Sequence, residues 1–296
     1  MSFSGEVKQE LTKQFSKARH CELAELQALV DFSGSYRQTG SLGVRILFKS
    51  ENLFAATKCF TLLRKTFNIK TDVMVRQKEG NECLTYYLTA GGLELAAIPN
   101  ASLSGICCKR AYIRGAFLSS GSVSDPRKSY HFEIVCSTIH HANKLQEVMK
   151  SFALDAKVVK RKHAYIVYLK DGSQIVDILN IMGAHIALME LENIRILKDM
   201  RNNVNRKVNC ETANINKTVS ASVKQLLDIK LIRDSIGLNN LPGGLTQISM
   251  ARLENPDVSL KELGALLDPP IGKSGVNHRL RKLSEIAEDL RDKQGG

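Results

Sequence analysis

Apolar positions along the chain switch between helical and strand spacing, and the switches repeat. Residues 6–15 predict a short amphipathic opening helix. Residues 21–35 read CELAELQALVDFSGS and residues 108–122 read CKRAYIRGAFLSSGS; the two align without a gap. Cys21 falls on Cys108, Ala24 on Ala111, Leu26 on Ile113, and Ala28 on Gly115, with Ser33-Gly34-Ser35 on Ser120-Gly121-Ser122. Each stretch predicts an apolar helix with small residues on one side, closed by a Ser-Gly-Ser turn.

The segments downstream of the two helices repeat as well. Residues 44–48 and 131–135 are strand-like, 52–67 and 139–152 helical, 69–75 and 154–159 strand-like again. Residues 84–88 and 164–169 add a further strand, and 93–98 and 175–182 close the units as helices. Each half reads helix, two strands, helix, two strands, helix. Two copies, about 20–100 and 107–188, predict a pseudo-twofold α+β domain over 1–198. Its two opening helices pack together, with Ala28, Gly34, Gly115 and Gly121 allowing close approach.

Beyond this domain, residues 188–200 are helical. Residues 199–217 are rich in Asn and Lys/Arg and read as a partly ordered linker. An all-α domain then spans 218–296. A helix over 220–236 carries Val223, Leu226, Leu227 and Ile236 as its buried side, and a second covers 245–254. In SLKELGALLDPPIGKSGVNHRLRKL, Ser259 and Glu262 form a capping box, and Leu260, Leu263, Leu266 and Leu267 fall on one face. Asp268-Pro269-Pro270 stops that helix. Ser274 starts another, with Val276, Leu280 and Leu283 inward and amide or basic residues between them. A short helix, a tight turn and a basic second helix are what a helix-turn-helix presents to a major groove.

Charge strengthens that reading. The 296 residues carry a formal +12 and a pI near 9.4, which favours a polyanionic partner, nucleic acid before an acidic membrane surface. No apolar run reaches a membrane span, and the N-terminus lacks a signal-peptide core. Seven cysteines, none in a C-x-x-C pair and two of them adjacent, read as reduced thiols of a cytoplasmic protein. With no Trp and 6% aromatic residues, base stacking is a poor candidate mode.

LQALVDFSGS (residues 26–35) and IRGAFLSSGS (113–122) resemble degenerate copies of the LAGLIDADG motif of homing endonucleases. With NRKVNCETANINKT (205–218) and the block 253–283, nearly the whole chain resembles the bacterial WhiA family. That resemblance implies a LAGLIDADG-like domain tethered to a DNA-binding helix-turn-helix, with roles in transcription, sporulation, cell division and chromosome segregation.

A LAGLIDADG nuclease holds its divalent metals on one carboxylate per motif, just before the final glycine, because phosphodiester hydrolysis needs anionic oxygen ligands. The matching positions here are Ser33 and Ser120. Asp31 survives in the first copy, but its counterpart is Leu118; Asp125 and Glu133 follow the second motif. The expectation is a nuclease-derived scaffold without nuclease activity, with no catalytic residue, metal or cofactor. Cys136, His140 and His141 lack further ligands at metal-binding spacing, and Gly91-Gly92 and Gly243-Gly244 read as punctuation.

The expected DNA-binding residues are Lys273, Ser274, Asn277, His278, Arg279, Arg281 and Lys282. Asn277 and Arg281, then His278, are assigned to base edges; Lys273, Arg279 and Lys282 to phosphates; and Ser274 to a phosphate at the helix start. Glu285, Glu288, Asp289 and Asp292 come next and keep negative charge away. Secondary contacts are expected from Arg201, Arg206, Lys207 and Lys217 in the linker and from Lys160, Arg161 and Lys162 on the sheet. The sheet supply also includes Arg45, Lys49, Lys70, Arg76, Lys78, Arg127, Lys128 and Lys157. The partner is double-stranded DNA, with a protein partner of the first domain as the rival reading and a residual endonuclease behind it. A nucleoid-associated monomer, without membrane association, is expected.

Overall fold

The computed structural model describes residues 1–38, 43–77 and 83–294; Lys78 lies outside them. The chain divides into two units, Met1–Asp199 and Met200–Gly296.

The first unit is built on two helices, α2 (Arg19–Ser33) and α4 (Ile106–Ser120), which come after the opening helix α1 (Phe3–Thr12). Both are buried almost all round, from Cys21 to Val30 and from Cys108 to Ser119. Helices lacking a strong polar face belong in the centre of a core. Their crossing is tight at Gly115. A Cβ there would stand 2.5 Å from the Glu25 carbonyl oxygen and 2.9 Å from the Ala28 Cβ, so only glycine lets the backbones meet.

Gly34 and Gly121 have a different job. Both are extended residues at the helix ends, and β1 (Gly34–Gln38) and β5 (Gly121–Val123) begin on them. The predicted Ser-Gly-Ser turns are direct helix-to-strand switches. An added Cβ would meet the Leu47 carbonyl oxygen at 2.7 Å in the first copy and Phe117 Cδ2 at 2.3 Å in the second. These contacts are with each helix's own repeat, not with the opposing helix.

The remaining elements alternate as the pattern predicts. The first copy continues with β2 (Val44–Ser50), α3 (Leu53–Phe67), β3 (Asp72–Gln77), β4 (Leu84–Gly92) and a 3-10 turn over Leu93–Ala97. The second has β6 (Phe132–Cys136), α5 (Ile139–Lys150), β7 (Lys157–Arg161), β8 (Ala164–Leu169) and α6 (Gly172–Met182). The sheets have orders β1-β2-β4-β3 and β5-β6-β8-β7, antiparallel throughout. Ile46, Phe48, Leu88 and Ala90 from one and Phe132, Ile134, Val167 and Leu169 from the other enter one core with the helices.

A charged triad lies inside that core. The fully buried Glu25 accepts from Arg114 Nε at 2.9 Å and Nη2 at 2.7 Å, and its Oε1 lies 3.3 Å from Lys58 Nζ. Arg114 also reaches the Met182 carbonyl, and Lys58 the carbonyls of Leu11 and Gln14. Every charge is paired or hydrogen-bonded, the condition on which buried ions are tolerated.

Helix α7 (His185–Ser235) contains residues of both units. The expected linker is therefore helix throughout. Its Asn residues extend the solvent face of α7 instead of capping or turning the chain; Asn214 donates to Cys210 Sγ at 3.8 Å. In the second unit α7 leads into a 3-10 turn (Leu238–Asn240), α8 (Gly243–Glu254), α9 (Leu260–Ala265) and α10 (Lys273–Gln294). The buried face of α7 is rotated from the expected one. Val223, Leu227 and Ile236 are exposed, whereas Ser222, Asp228, Ile229 and Ile232 are buried. Asp228 explains the phase: its carboxylate accepts from Ser284 Oγ at 2.6 Å and from Arg291 Nη2 at 2.5 Å, so a charge sits inside with its lone pairs used.

Candidate nucleic-acid interface

The helix-turn-helix is built as its sequence dictates, with α9 and α10 joined at a sharp corner. Ser259 Oγ accepts from the Glu262 N–H at 3.3 Å, and Glu262 Oε2 accepts from the Ser259 N–H at 2.9 Å, completing the capping box. These hydrogen bonds hold the Glu262 carboxyl below its ordinary range. Gly264 lets the turn fold back. The Ile271 N–H donates to the Gly264 carbonyl at 3.0 Å, and a Cβ on Gly264 would stand 2.2 Å from the Ile271 carbonyl oxygen. Leu263 and Leu267 enter the small core with Ile229, Ile232, Leu245, Ile248, Val276, Leu280 and Leu283. Leu266, expected on the same face, is exposed.

On α10 the apolar and polar positions separate cleanly. Val276, Leu280, Leu283 and Ala287 are buried, while Lys273, Ser274, Asn277, His278, Arg281 and Lys282 are exposed along one continuous arc of the first three turns. Arg279 leaves that arc. It falls on the opposite flank, where its Nη1 donates to the Gly244 carbonyl at 3.2 Å, so its guanidinium fastens α10 to the start of α8. Arg281 Nε lies 3.4 Å from Glu285 Oε1, an exposed pair one turn apart, and Lys224 pairs with Glu288 at 3.2 Å. Asn277 and Arg281 border a 540 Å³ cleft between α10 and α7, shared with Lys224 and Gln225.

Of the linker residues, Lys217 joins this region. With Lys261 and Lys273 it lines a second cleft, of 480 Å³. Arg201, Arg206 and Lys207 are exposed on α7. Arg206 and Lys217 are about three turns apart and share a face, whereas Arg201 points the other way.

The sheets divide their basic residues between two sides. Register puts Arg45, Lys49 and Arg76 on the outward face of the first sheet with Tyr87, and both Lys49 and Arg76 lie over that ring, at 5.7 and 5.6 Å. In the second sheet Lys157 and Arg161 alternate with Lys160, which therefore takes the opposite side, and Lys162 sits at positive φ in the β7–β8 turn.

The degenerate acidic positions carry no carboxylate. Ser120 Oγ donates to the Val135 carbonyl at 2.7 Å, and Ser33 borders a 450 Å³ cleft on the first sheet. Asp31 is tied up: Lys144 Nζ lies 3.2 Å from its Oδ2, and the Tyr112 hydroxyl donates to the same oxygen at 3.3 Å. Burial, with Asp31 beside them, pushes the Tyr112 and Tyr36 phenols up. Asp125 accepts from the Arg127 N–H, and Glu133 bridges His131 and Ser122. Cys136 is buried with its thiol on the Ile134 carbonyl at 3.8 Å, the His140 and His141 rings lie side by side, and burial lowers the His141 imidazole.

Sequence reasoning missed one grouping. Among the described residues, His20, Cys21, Cys107 and Cys108 bring four potential metal-ligand atoms within 4.8 Å of one another. The signal was present: the ungapped alignment that matches Cys21 to Cys108 also matches His20 to Cys107. Burial pushes the Cys21 thiol up to about 12, while a hydrogen bond from Cys21 holds Cys107 below its usual value.

These features define a class of protein in which a LAGLIDADG-like α+β domain is joined to a helix-turn-helix domain. Residues 19–89 match the WhiA N-terminal LAGLIDADG-like domain, 109–201 the WhiA LAGLIDADG-like domain and 204–287 the WhiA C-terminal HTH domain. The chain belongs to the WhiA family. It is 51% identical to a protein of Lachnoclostridium phytofermentans named probable cell division protein WhiA, over 98% of this chain and 100% of that one. It is 45% identical to the protein of that name from Lachnospira eligens, over 100% and 99%. A crystal structure of full-length DUF199/WhiA from Thermatoga maritima is similar at 26% identity and a TM-score of 0.66, covering 98% of this chain and 99% of that one. Among the described residues no helix is long and apolar enough to cross a membrane.

Proposed function

We propose that the protein is a non-catalytic DNA-binding regulator of cell division, acting as a transcription factor and in chromosome segregation. The observation that carries the reading is the exposed arc Lys273, Ser274, Asn277, His278, Arg281 and Lys282 on the second helix of a helix-turn-helix. Its first turn offers free backbone N–H groups and Ser274 to a phosphate. Asn277 and Arg281 carry the two-pronged groups that read adenine and guanine edges, with His278 beside them. Lys273 and Lys282 flank them as phosphate contacts, with Lys217 and Lys261 extending the positive border. Arg279 serves the fold of the domain. The protein takes double-stranded DNA in the cytoplasm, as part of the nucleoid.

The larger unit acts without chemistry. Serines at 33 and 120 supply no anionic ligand for Mg²⁺, and Asp31 is neutralised by Lys144. The reading is tested by DNA binding across a salt series. Affinity should fall with a log–log slope of about −0.9 per phosphate contact, and deletion of 219–296 should abolish it. Salt-independent binding, or binding retained after the deletion, would reject the helix-turn-helix as the reader.

A further inference from the structure

The two repeats begin with equivalent dipeptides, His20-Cys21 and Cys107-Cys108, placed alike in the first turns of α2 and α4. Pseudo-twofold packing of those helices brings the pairs face to face. His20 Nδ1 lies 3.1 Å from Cys108 Sγ, 3.3 Å from Cys21 Sγ and 4.0 Å from Cys107 Sγ. A tetrahedral zinc ion with one nitrogen and three sulfur ligands separates nitrogen from sulfur by about 3.6 Å, in the middle of that range. Cys21 and Cys108 are buried against Ala24 and Ala111, and His20 and Cys107 close the outer side. We propose that His20, Cys21, Cys107 and Cys108 bind one Zn²⁺ ion that clasps the start of the first repeat to the start of the second.

The donor set selects the ion. Three thiolates and an imidazole are soft, with no carboxylate among them, which excludes Mg²⁺ and Ca²⁺ and suits zinc. Four protein ligands fill the tetrahedron, so the site is structural and leaves no position for a substrate. Four ligand atoms within 4.8 Å of one another fit a single ion; an iron–sulfur core would spread them. Binding releases the three thiol protons to solvent, and the bound cluster carries one net negative charge. Neither helix has a side-chain cap, at Ala18 or at Gly105. The positive ends of both helix dipoles are thus available to stabilise that charge.

The test uses the full chain, reduced and stripped with a chelator, then incubated with Zn²⁺, desalted and analysed by elemental mass spectrometry. One zinc per chain is expected. Cobalt in its place should give the intense visible bands of a tetrahedral thiolate site, which needs no variant. Cys107→Ser, at an exposed position, should lose the ion while circular dichroism stays unchanged. His20→Ala should weaken it roughly tenfold or more, and Cys210→Ser should keep it. Chelation should lower the first unit's melting temperature by roughly 5–10 °C. No retained zinc at micromolar free metal, an octahedral cobalt spectrum, or equal zinc in Cys107→Ser would overturn the assignment.

Discussion

Lys144 Nζ stands 3.2 Å from Asp31 Oδ2, so the one carboxylate left in the first LAGLIDADG-like stretch is held by a lysine instead of facing solvent. The Tyr112 hydroxyl shares that oxygen. Asp31→Ala strips an acceptor from both groups and should lower unfolding free energy by roughly 1–3 kcal/mol in urea titrations. Plasmid DNA with Mg²⁺ or Mn²⁺ should stay intact with either protein. Nicking by the wild type that disappears in Asp31→Ala would return the residue to a metal-binding role.

On the proposed reading, variants along the arc on α10 should separate affinity from discrimination. Lys273→Ala and Lys282→Ala should weaken binding to all sequences alike, each reducing the salt slope by about 0.9. Asn277→Ala and Arg281→Ala should cost roughly 1–3 kcal/mol on the preferred site and little elsewhere. Competition binding against scrambled duplexes separates the two patterns.

Glu285 competes for Arg281 in the free protein, as the 3.4 Å pair records. Glu285→Gln should tighten DNA binding, and the gain should disappear in an Arg281→Ala background. A gain that persists there would mean Glu285 acts by general repulsion.

Gly264→Ala forces a Cβ against the Ile271 carbonyl oxygen at 2.2 Å. Overpacking of this kind costs roughly 1–3 kcal/mol. Proteolysis should show the second unit loosened and the first unchanged.

Burial lowers the Lys58 ammonium from 10.5 to about 8. Between those values the unfolded chain keeps a proton that the folded chain has released, so this lysine's contribution rises with pH across the window and is lost as pH falls through about 8. Measured against Lys58→Met, wild-type stability should gain steadily from pH 8 to 10.5. A flat difference would show that the ion pair with Glu25 keeps the proton on.

The fold was largely legible because a tandem repeat tests its own reading: an alternation found twice is hard to misassign. The helix-turn-helix was legible through Ser259, Glu262 and the spacing of Val276, Leu280 and Leu283. The features that escaped depended on tertiary partners. The face of α7 was phased on Val223 and Leu227 because nothing in the local pattern marks Asp228 as buried; its Ser284 and Arg291 partners lie far along the chain. The stretch rich in Asn read as a tether because Asn has weak helix propensity, yet α7 runs through it. Arg279 looked like its neighbours until Gly244 showed which flank it occupies. The Cys/His group was invisible to spacing rules because its members come from two helices related by the repeat.

The buried triad gives the duplicated domain a direction. In the repeat alignment Glu25 falls on Tyr112 and Arg114 falls on Gln27, whose amide donates instead to the Pro99 carbonyl at 2.8 Å. Two copies of the first half, paired as a homodimer, would set Glu25 against Gln27 and leave its carboxylate Lys58 alone, without the two-pronged guanidinium. Two copies of the second would set Arg114 against Tyr112 and strand a guanidinium. The guanidinium and the carboxylate it grips are thus on opposite halves, and a chain severed between them should reassemble preferentially as the unlike pair.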